Sequence, residues 1–132
     1  MAELALILVV DDDADIRRLV AINLRSVGFE VIEAGSGAEA LELFAARRPG
    51  IVLLDVMMPQ MNGIETATKI RNLDKEGDAQ LVFLTAHGDI DTFKESLTVN
   101  ARAFLTKPIT RAELIKRISN LQTARSLRPP KA

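Results

Sequence analysis

The sequence predicts an α/β domain, a single doubly wound parallel sheet of five strands with five helices. Three observations carry that prediction. Residues 4–10, 51–54 and 81–84 are short runs rich in Val, Ile and Leu with no polar alternation, as expected of parallel strands covered on both faces. Segments with helical apolar spacing lie between them. Strand and helix alternate five times along the chain, an order that favours a parallel sheet with right-handed crossovers.

Each element has its own signal. After the first run, Ile16, Leu19, Val20, Leu24 and Val27 follow i, i+3, i+4 spacing, and Gly28 stands where a helix stops. Residues 30–34 form a weaker strand candidate. Ser36 with Glu39 makes a capping box ahead of the stripe Leu41, Phe44, Ala45. The run 51–54 is followed by Ile64, Ala67 and Ile70, and the run 81–84 by Ile90, Phe93 and Leu97. A last weak strand at 103–106 precedes Thr110 and Glu113, which open the stripe Leu114, Ile115, Ile118, Leu121. No internal repeat suggests a solenoid. The domain is expected over residues 4–123. Residues 124–132, with two adjacent prolines and no apolar period, read as a tail or the beginning of a linker.

Composition narrows the function. The 132 residues suit one domain. Hydrophobic residues at 48% supply a core, and 17 basic against 18 acidic residues leave a formal net charge of -1. That balance argues against a surface built throughout for nucleic acid or anionic lipid. Cysteine is absent, which excludes disulfides, thiolate metal sites and cysteine nucleophiles. The first apolar run has Glu3 before it and three aspartates after it, unlike a signal peptide. No stretch approaches the roughly 20 apolar residues of a membrane span. A soluble, cytoplasmic domain is expected, with no membrane partner.

In an open parallel sheet, ligands bind at the carboxyl ends of the strands, so the polar residues there carry the functional information. The first strand ends in Asp11, Asp12 and Asp13, the third in Asp55, the fourth in Thr85, and the fifth in Lys107 before Pro108. Each has an ordinary reading alone: helix-capping acids, a turn aspartate, a capping threonine, a surface lysine. The coincidence on one edge is harder to dismiss. A carboxylate directly after a buried strand is costly to desolvate, and neighbouring carboxylates add repulsion. A hard divalent cation resolves both, and Mg²⁺ prefers a few carboxylates with phosphate oxygens and water. Asp55 can then act as a nucleophile toward phosphorus, with Thr85 and Lys107 holding phosphoryl oxygens, so that catalysis is positioning and charge neutralisation.

The segments ILVVDDDADIRRLV, IVLLDVMMPQMNGIE, LVFLTAHG and AFLTKPI together resemble the receiver domain of two-component response regulators, over nearly the whole chain and in the expected order. The resemblance implies the flavodoxin-like strand order 2-1-3-4-5, for which the chemotaxis member of the family is a standard example. It implies Asp55 as phosphoacceptor and Asp11 and Asp12 as the acid pair, Asp12 the more direct ligand of Mg²⁺ (or Mn²⁺). It further implies the backbone carbonyl of Met57 as a metal ligand, Thr85 and Lys107 as the phosphoryl-binding hydroxyl and ammonium, a cis bond before Pro108, and Phe104 as the switch aromatic. Such a domain catalyses only its own aspartyl phosphorylation and dephosphorylation. Its implied partners are a sensor histidine kinase or phosphotransfer protein and a downstream protein or C-terminal output domain. A phosphorylation-dependent dimer is compatible with the family.

The chain departs from that pattern in places. Phe104 stands where many receivers have tyrosine and lacks the hydroxyl. Asn100 and Arg102 occupy positions that often hold glycine and acidic residues, although Asn tolerates left-handed backbone. His87, the only histidine, falls where receivers often place a side chain that gates dephosphorylation; a solvated loop histidine is the plainer reading. Met57, Met58 and Met61 suit a docking loop or plain loop packing. Two other activities call for residues that this chain lacks. A haloacid-dehalogenase-type Mg²⁺ phosphatase wants a second aspartate two residues after the nucleophile, where this chain has Met57, and a substrate cap. A flavin module wants a glycine- and hydroxyl-rich phosphate loop, where this chain has three aspartates. No helix-turn-helix pattern is present, so direct nucleic-acid binding by this segment is not expected.

Overall fold

A computed structural model describes residues 4–86 and 90–127. Its elements alternate as expected: β1 (Ile7–Val10), α1 (Ala14–Arg25), β2 (Val31–Ala34), α2 (Gly37–Arg47), β3 (Ile51–Leu54), α3 (Gly63–Leu73), β4 (Gln80–Thr85), α4 (Ile90–Thr98), β5 (Ala103–Thr106) and α5 (Arg111–Ser126). The strands form one parallel sheet in the order β2-β1-β3-β4-β5.

The strand period of two splits the apolar side chains between two cores. Leu8, Val10, Val52, Leu54, Leu81 and Phe83 meet Ala40 and Phe44 of α2 and Ala67 and Ile70 of α3. Ile7, Val9, Ile51, Leu53, Val82 and Leu84 meet Val20, Ala21 and Leu24 of α1 and Leu114 and Ile118 of α5. Both faces are covered, which is why the strand sequences show no polar alternation. Each fully buried aliphatic or aromatic side chain contributes roughly 1.5–3 kcal/mol, so these two layers dominate stability.

Caps fix where the helices begin. Asp13 accepts from the N–H groups of Asp15 and Ile16 and starts α1. Ser36 accepts from the Glu39 N–H at 3.1 Å, while Glu39 reaches past it to accept from Gly35 N–H at 2.7 Å. Asn62 and Thr110 do for α3 and α5 what Ser36 does for α2. The chain turns after α1 with Gly28 at φ 100° and after α4 with Asn100 at φ 58°, conformations that glycine and asparagine adopt at least cost.

Four expectations need correction. Residues 4–6 lie outside β1; Ala5 N–H instead donates to Gln122 Oε1, and Leu6 carbonyl accepts from Gly50 and Ile51 N–H. Leu19 and Val27 belong to the helical stripe by spacing, yet are 60% and 41% exposed, because α1 turns only Val20, Ala21 and Leu24 fully inward. Ile90, Phe93 and Leu97 of α4 are all exposed, and Ser96 is that helix's one buried residue among those described. Finally, α5 runs to Ser126, through positions assigned from sequence to the tail. There Arg125 donates to the carbonyls of Asp78 at 2.6 Å and Gly50 at 3.3 Å, fastening the helix end to the amino edge of the sheet.

A second guanidinium acts similarly. Arg71, at the end of α3, donates to the carbonyls of Val99 (2.8 Å), Asn100 (3.0 Å) and Ala79 (2.7 Å) and to Asp74 Oδ2 (3.1 Å). Burial pulls its pKa below the ordinary arginine value, and the Asp74 charge opposes that shift.

Glycine has a different use at Gly63, where a Cβ would lie 2.1 Å from the carbonyl oxygen of Asp55. Its N–H donates to Val56 carbonyl at 2.8 Å, drawing the start of α3 against the loop after β3. Gly63→Ala is expected to destabilise the fold by about 1–3 kcal/mol through overpacking against backbone. Gly77→Ala, with φ 69° but nothing within 4 Å, should cost only the left-handed conformation, about 1–2 kcal/mol. Urea unfolding midpoints of both variants check this, together with a shift of the Asp55 amide resonance in Gly63→Ala alone. An undisturbed Asp55 resonance in Gly63→Ala would contradict the close approach.

Candidate functional site

The sheet register places two carboxylates side by side. Val10 pairs with Leu54 across β1 and β3, so the next residues, Asp11 and Asp55, leave neighbouring strands at the same level. The ladder continues one step beyond the strands: Asp55 N–H donates to Val10 carbonyl at 3.0 Å and Asp11 N–H to Ala34 carbonyl at 3.2 Å. Both acids are nearly buried, at 4% and 9% exposure, while Asp12 is exposed. Ligand oxygens of Asp11, Asp12 and Asp55 all lie within 4.8 Å of one another.

Lys107 closes the arrangement from β5. Its Nζ donates to Asp11 Oδ2 at 2.7 Å and to Asp55 Oδ2 at 3.3 Å. The peptide bond from Lys107 to Pro108 is cis, and Lys107 N–H donates to Thr85 carbonyl at 2.9 Å. Burial raises the Asp11 pKa; the Lys107 hydrogen bond and the Asp13 N–H oppose that rise without cancelling it. For Lys107, burial works against the ammonium, but its hydrogen bond to Asp11 and the charges of Asp11 and Asp55 outweigh burial and hold its pKa above the ordinary lysine value.

Three carboxylates facing one ammonium leave an excess of negative charge where two of the acids have lost most of their water. Oxygen donors of that kind, close together and partly exposed on the Asp12 side, fit a hard divalent cation. The residues present therefore suit Mg²⁺, the ion inferred from sequence.

The remaining positions fall around this centre. Thr85 ends β4 and is fully buried. Met57 N–H donates to Asp55 Oδ1 at 3.4 Å, so the chain curls around the carboxylate, and Met57 is 54% exposed. Phe104 pairs with Phe83 across β4 and β5, ring centroids 6.3 Å apart, and meets the edge of Phe93 of α4 at 5.7 Å. It is half-buried, between the sheet core and the exposed face of α4. His87 lies outside the described residues. Asp13 serves as the α1 cap, so the three-aspartate run divides between a structural acid and two acids of the site.

Two neighbours of the site were not anticipated from sequence. Gly63 stands out in the sequence only as part of a motif, because a close backbone approach leaves no mark in periodicity. Arg17 Nη1 donates to the Asp11 carbonyl at 2.8 Å. A signal for it existed: a cation near the amino end of a helix opposes the helix dipole and calls for another partner.

The comparisons agree with this geometry. A family model described as the response regulator receiver domain matches residues 7–119. The probable transcriptional regulator ycf27 of Cyanophora paradoxa is 40% identical over 115 residues, covering 87% of this chain and 47% of the relative. The phosphate regulon transcriptional regulatory protein PhoB of Pseudomonas aeruginosa is 37% identical over 112 residues, covering 85% and 49%. The chain thus spans about half the length of these relatives. Among solved structures, chemotaxis protein CheY4 of Vibrio cholerae superposes with a TM-score of 0.85 at 30% identity, covering 89% of this chain and 98% of that one. NtrX of Brucella abortus gives 0.85 at 30% identity, covering 95% of this chain but 28% of its own. A parallel sheet in the order 2-1-3-4-5, an acid cluster bridged by a lysine at its carboxyl edge, and a family match over most of the chain lead to one conclusion: the chain belongs to the response regulator receiver domain family of two-component signalling.

Proposed function

We propose that this domain is a phosphorylation-dependent switch in which Asp55 accepts a phosphoryl group from a histidine kinase or phosphotransfer protein. The observation that carries the reading is the Lys107 ammonium shared between Asp11 and Asp55, with Asp12 beside them. Asp11, Asp12, Asp55 and the Met57 carbonyl would hold Mg²⁺, or Mn²⁺ in its place. When bound, the ion supplies charge neutralisation for phosphoryl oxygens.

The chain's own residues do the rest. An oxygen of the Asp55 carboxylate forms a bond to phosphorus as the phosphorus–nitrogen bond of the donor phosphohistidine breaks; the electron pair stays on the imidazole. Lys107 balances charge on the transferred group, and the Thr85 hydroxyl donates to one of its oxygens. Reversal by water returns the carboxylate and inorganic phosphate, so the domain acts on itself and turns over no separate substrate. The added charge of about -1.5 to -2 changes what Lys107 and Thr85 face, and Phe104 follows toward the sheet. The face of α4, β5 and α5 then favours a different partner, a shift of population that depends on differential contacts.

Two features support that output face. Phe104 joins the core to α4 through Phe83 and Phe93. The helix α4 buries so little apolar surface that moving it is inexpensive. The domain, expected over residues 4–123, includes α5 as far as Ser126, and relatives named as transcriptional regulators suggest a C-terminal output domain. A phosphorylation-dependent dimer through the same face is part of the reading, as is a cytoplasmic location. Among the described residues no helix is long and apolar enough to cross a membrane.

Incubation with acetyl phosphate and Mg²⁺, followed by intact mass, is expected to show one hydroxylamine-labile phosphoryl group. It should vanish without Mg²⁺ and in Asp55→Asn; retention in Asp55→Asn would refute the assignment, and sustained hydrolysis of many phosphate esters would favour a phosphatase instead. His87→Ala should change the dephosphorylation rate, and an unchanged rate would remove the gating role. Phe104→Ala should uncouple partner binding from phosphorylation without blocking acetyl phosphate labelling. Lys107→Met should lower stability in chelator by about 1.5–3 kcal/mol, the scale of a hydrogen bond to a charged group. Added Mg²⁺ should then stabilise Lys107→Met more than wild type, because a competing cation is gone; thermal melts with and without the ion read both effects.

A further inference from the structure

We infer that Arg17 is a positioning residue for the divalent-cation site, acting on the peptide that joins its two acids. The inference rests on the proposed metal site and extends it to a side chain that touches no ligand oxygen of the cluster. The Asp11 carbonyl, which receives Arg17 Nη1 at 2.8 Å, belongs to the planar unit that also contains the Asp12 N–H. Fixing that carbonyl fixes the orientation of the whole unit. The Asp12 side chain is exposed and starts from this unit, whereas Asp11 has Lys107 and the Asp13 N–H (2.9 Å) to hold its carboxylate.

The guanidinium is itself held in place. Arg17 Nε donates to Glu33 Oε1 at 3.2 Å, and both side chains are largely buried, at 18% and 21% exposure. The other Glu33 oxygen lies 3.5 Å from Arg25 Nη1, and Arg25 Nη2 donates to Val31 carbonyl at 2.8 Å. Glu33 therefore stands between two arginines of α1 and aims one of them at the acid loop. Gly35 completes the enclosure: a Cβ there would sit 3.2 Å from Arg17 Nη1. The planar fork of arginine suits this double task, one edge on a carboxylate and one on a carbonyl, and lysine cannot reproduce it.

Charge and geometry predict opposite outcomes, which makes the idea testable. A guanidinium near a cation site repels the cation, so if Arg17 acted only through its charge, its removal would tighten Mg²⁺ binding. As a positioning residue its loss loosens the Asp11–Asp12 unit and weakens binding. Groups that orient metal ligands typically change affinity by about 10–100-fold when removed; acting through backbone, Arg17 is expected at the lower end, about tenfold.

The test is a Mg²⁺ titration of the whole chain followed by amide NMR shifts, with urea midpoints measured separately in chelator. Arg17→Gln and Arg17→Lys are both expected to raise the Mg²⁺ dissociation constant about tenfold, and Glu33→Gln to raise it by a smaller factor, about threefold. Glu30→Gln, which breaks only the exposed pair with Arg47, should leave it unchanged. An unchanged or lowered constant in Arg17→Gln overturns the inference, as does full recovery in Arg17→Lys. If Arg17→Gln fails to fold, Glu33→Gln and Gly35→Ala decide: weakened Mg²⁺ binding in both supports the inference, and wild-type binding in either overturns it. A wild-type chain that takes up no Mg²⁺ refutes the metal site itself, whereas a wild type that binds with Arg17→Gln binding equally well refutes only the role of Arg17.

Discussion

The Lys107 ammonium stands between two carboxylates that the sheet forces together, and most of what is distinctive in this domain depends on it. Parallel pairing of β1 with β3 brings Asp11 and Asp55 to the same level, and burial of both strands removes most of their water. Two adjacent anions in that setting would repel one another or take up a proton. Lys107, 2.7 Å from one and 3.3 Å from the other, is a partial answer: one positive charge for two buried acids, with exposed Asp12 adding a third negative charge nearby. The remaining imbalance makes the site receptive to a cation. The same ammonium, supplied from β5, links the acid pair to the strand that carries Phe104.

The two edges of the sheet are built on different principles. At the carboxyl edge, charged groups crowd together, and the backbone must come close, as Gly63 does to Asp55. At the amino edge, arginines close the structure by donating to carbonyls: Arg125 to Gly50 and Asp78, Arg71 to Ala79, Val99 and Asn100. Such bonds satisfy acceptors that would otherwise cost free energy when buried. Arg71 also holds the chain just after α4, although α4 itself places little in the core. A guanidinium holds the carbonyls just past the carboxyl end of that helix, and along its length Ser96 is buried and Phe93 packs against Phe104. An element so attached can shift without disturbing the sheet.

How much of this could be read from sequence follows from the range of each interaction. The strand cores and the caps at Ser36 and Thr110 are local or periodic, and periodicity revealed them. The acids, Thr85 and Lys107 were legible because strand ends in an open parallel sheet share one edge, so chain order alone brings them together. Helical spacing failed on α4, where Ile90, Phe93 and Leu97 form an apolar stripe that faces outward; spacing reports that a stripe exists and not that something covers it. It failed likewise for Leu19 and Val27. Arg71 and Arg125 were invisible for another reason. A guanidinium reaches several residues across elements and binds carbonyls, which every residue has, so no partner residue type marks the contact.

Met57 bears on whether the site stores or processes a phosphoryl group. Its N–H donates to Asp55 Oδ1 at 3.4 Å, so the residue two places beyond Asp55 lies against the carboxylate. An acid at this position could deliver a proton to a leaving group or activate water, the step that separates turnover from storage. A thioether can do neither. Lys107 binds oxygens but, with its pKa raised by the acids it faces, remains protonated and is a poor base. Thr85 offers a hydroxyl, which can donate to an oxygen but is a weak acid and a weak base. Burial raises the Asp11 pKa, against the Lys107 hydrogen bond, and a bound cation would act in the same direction as Lys107. Among the described residues, Lys107 and the missing acid at Met57 make the surroundings of Asp55 better at neutralising charge than at moving protons, which supports the proposed switch over a turnover enzyme.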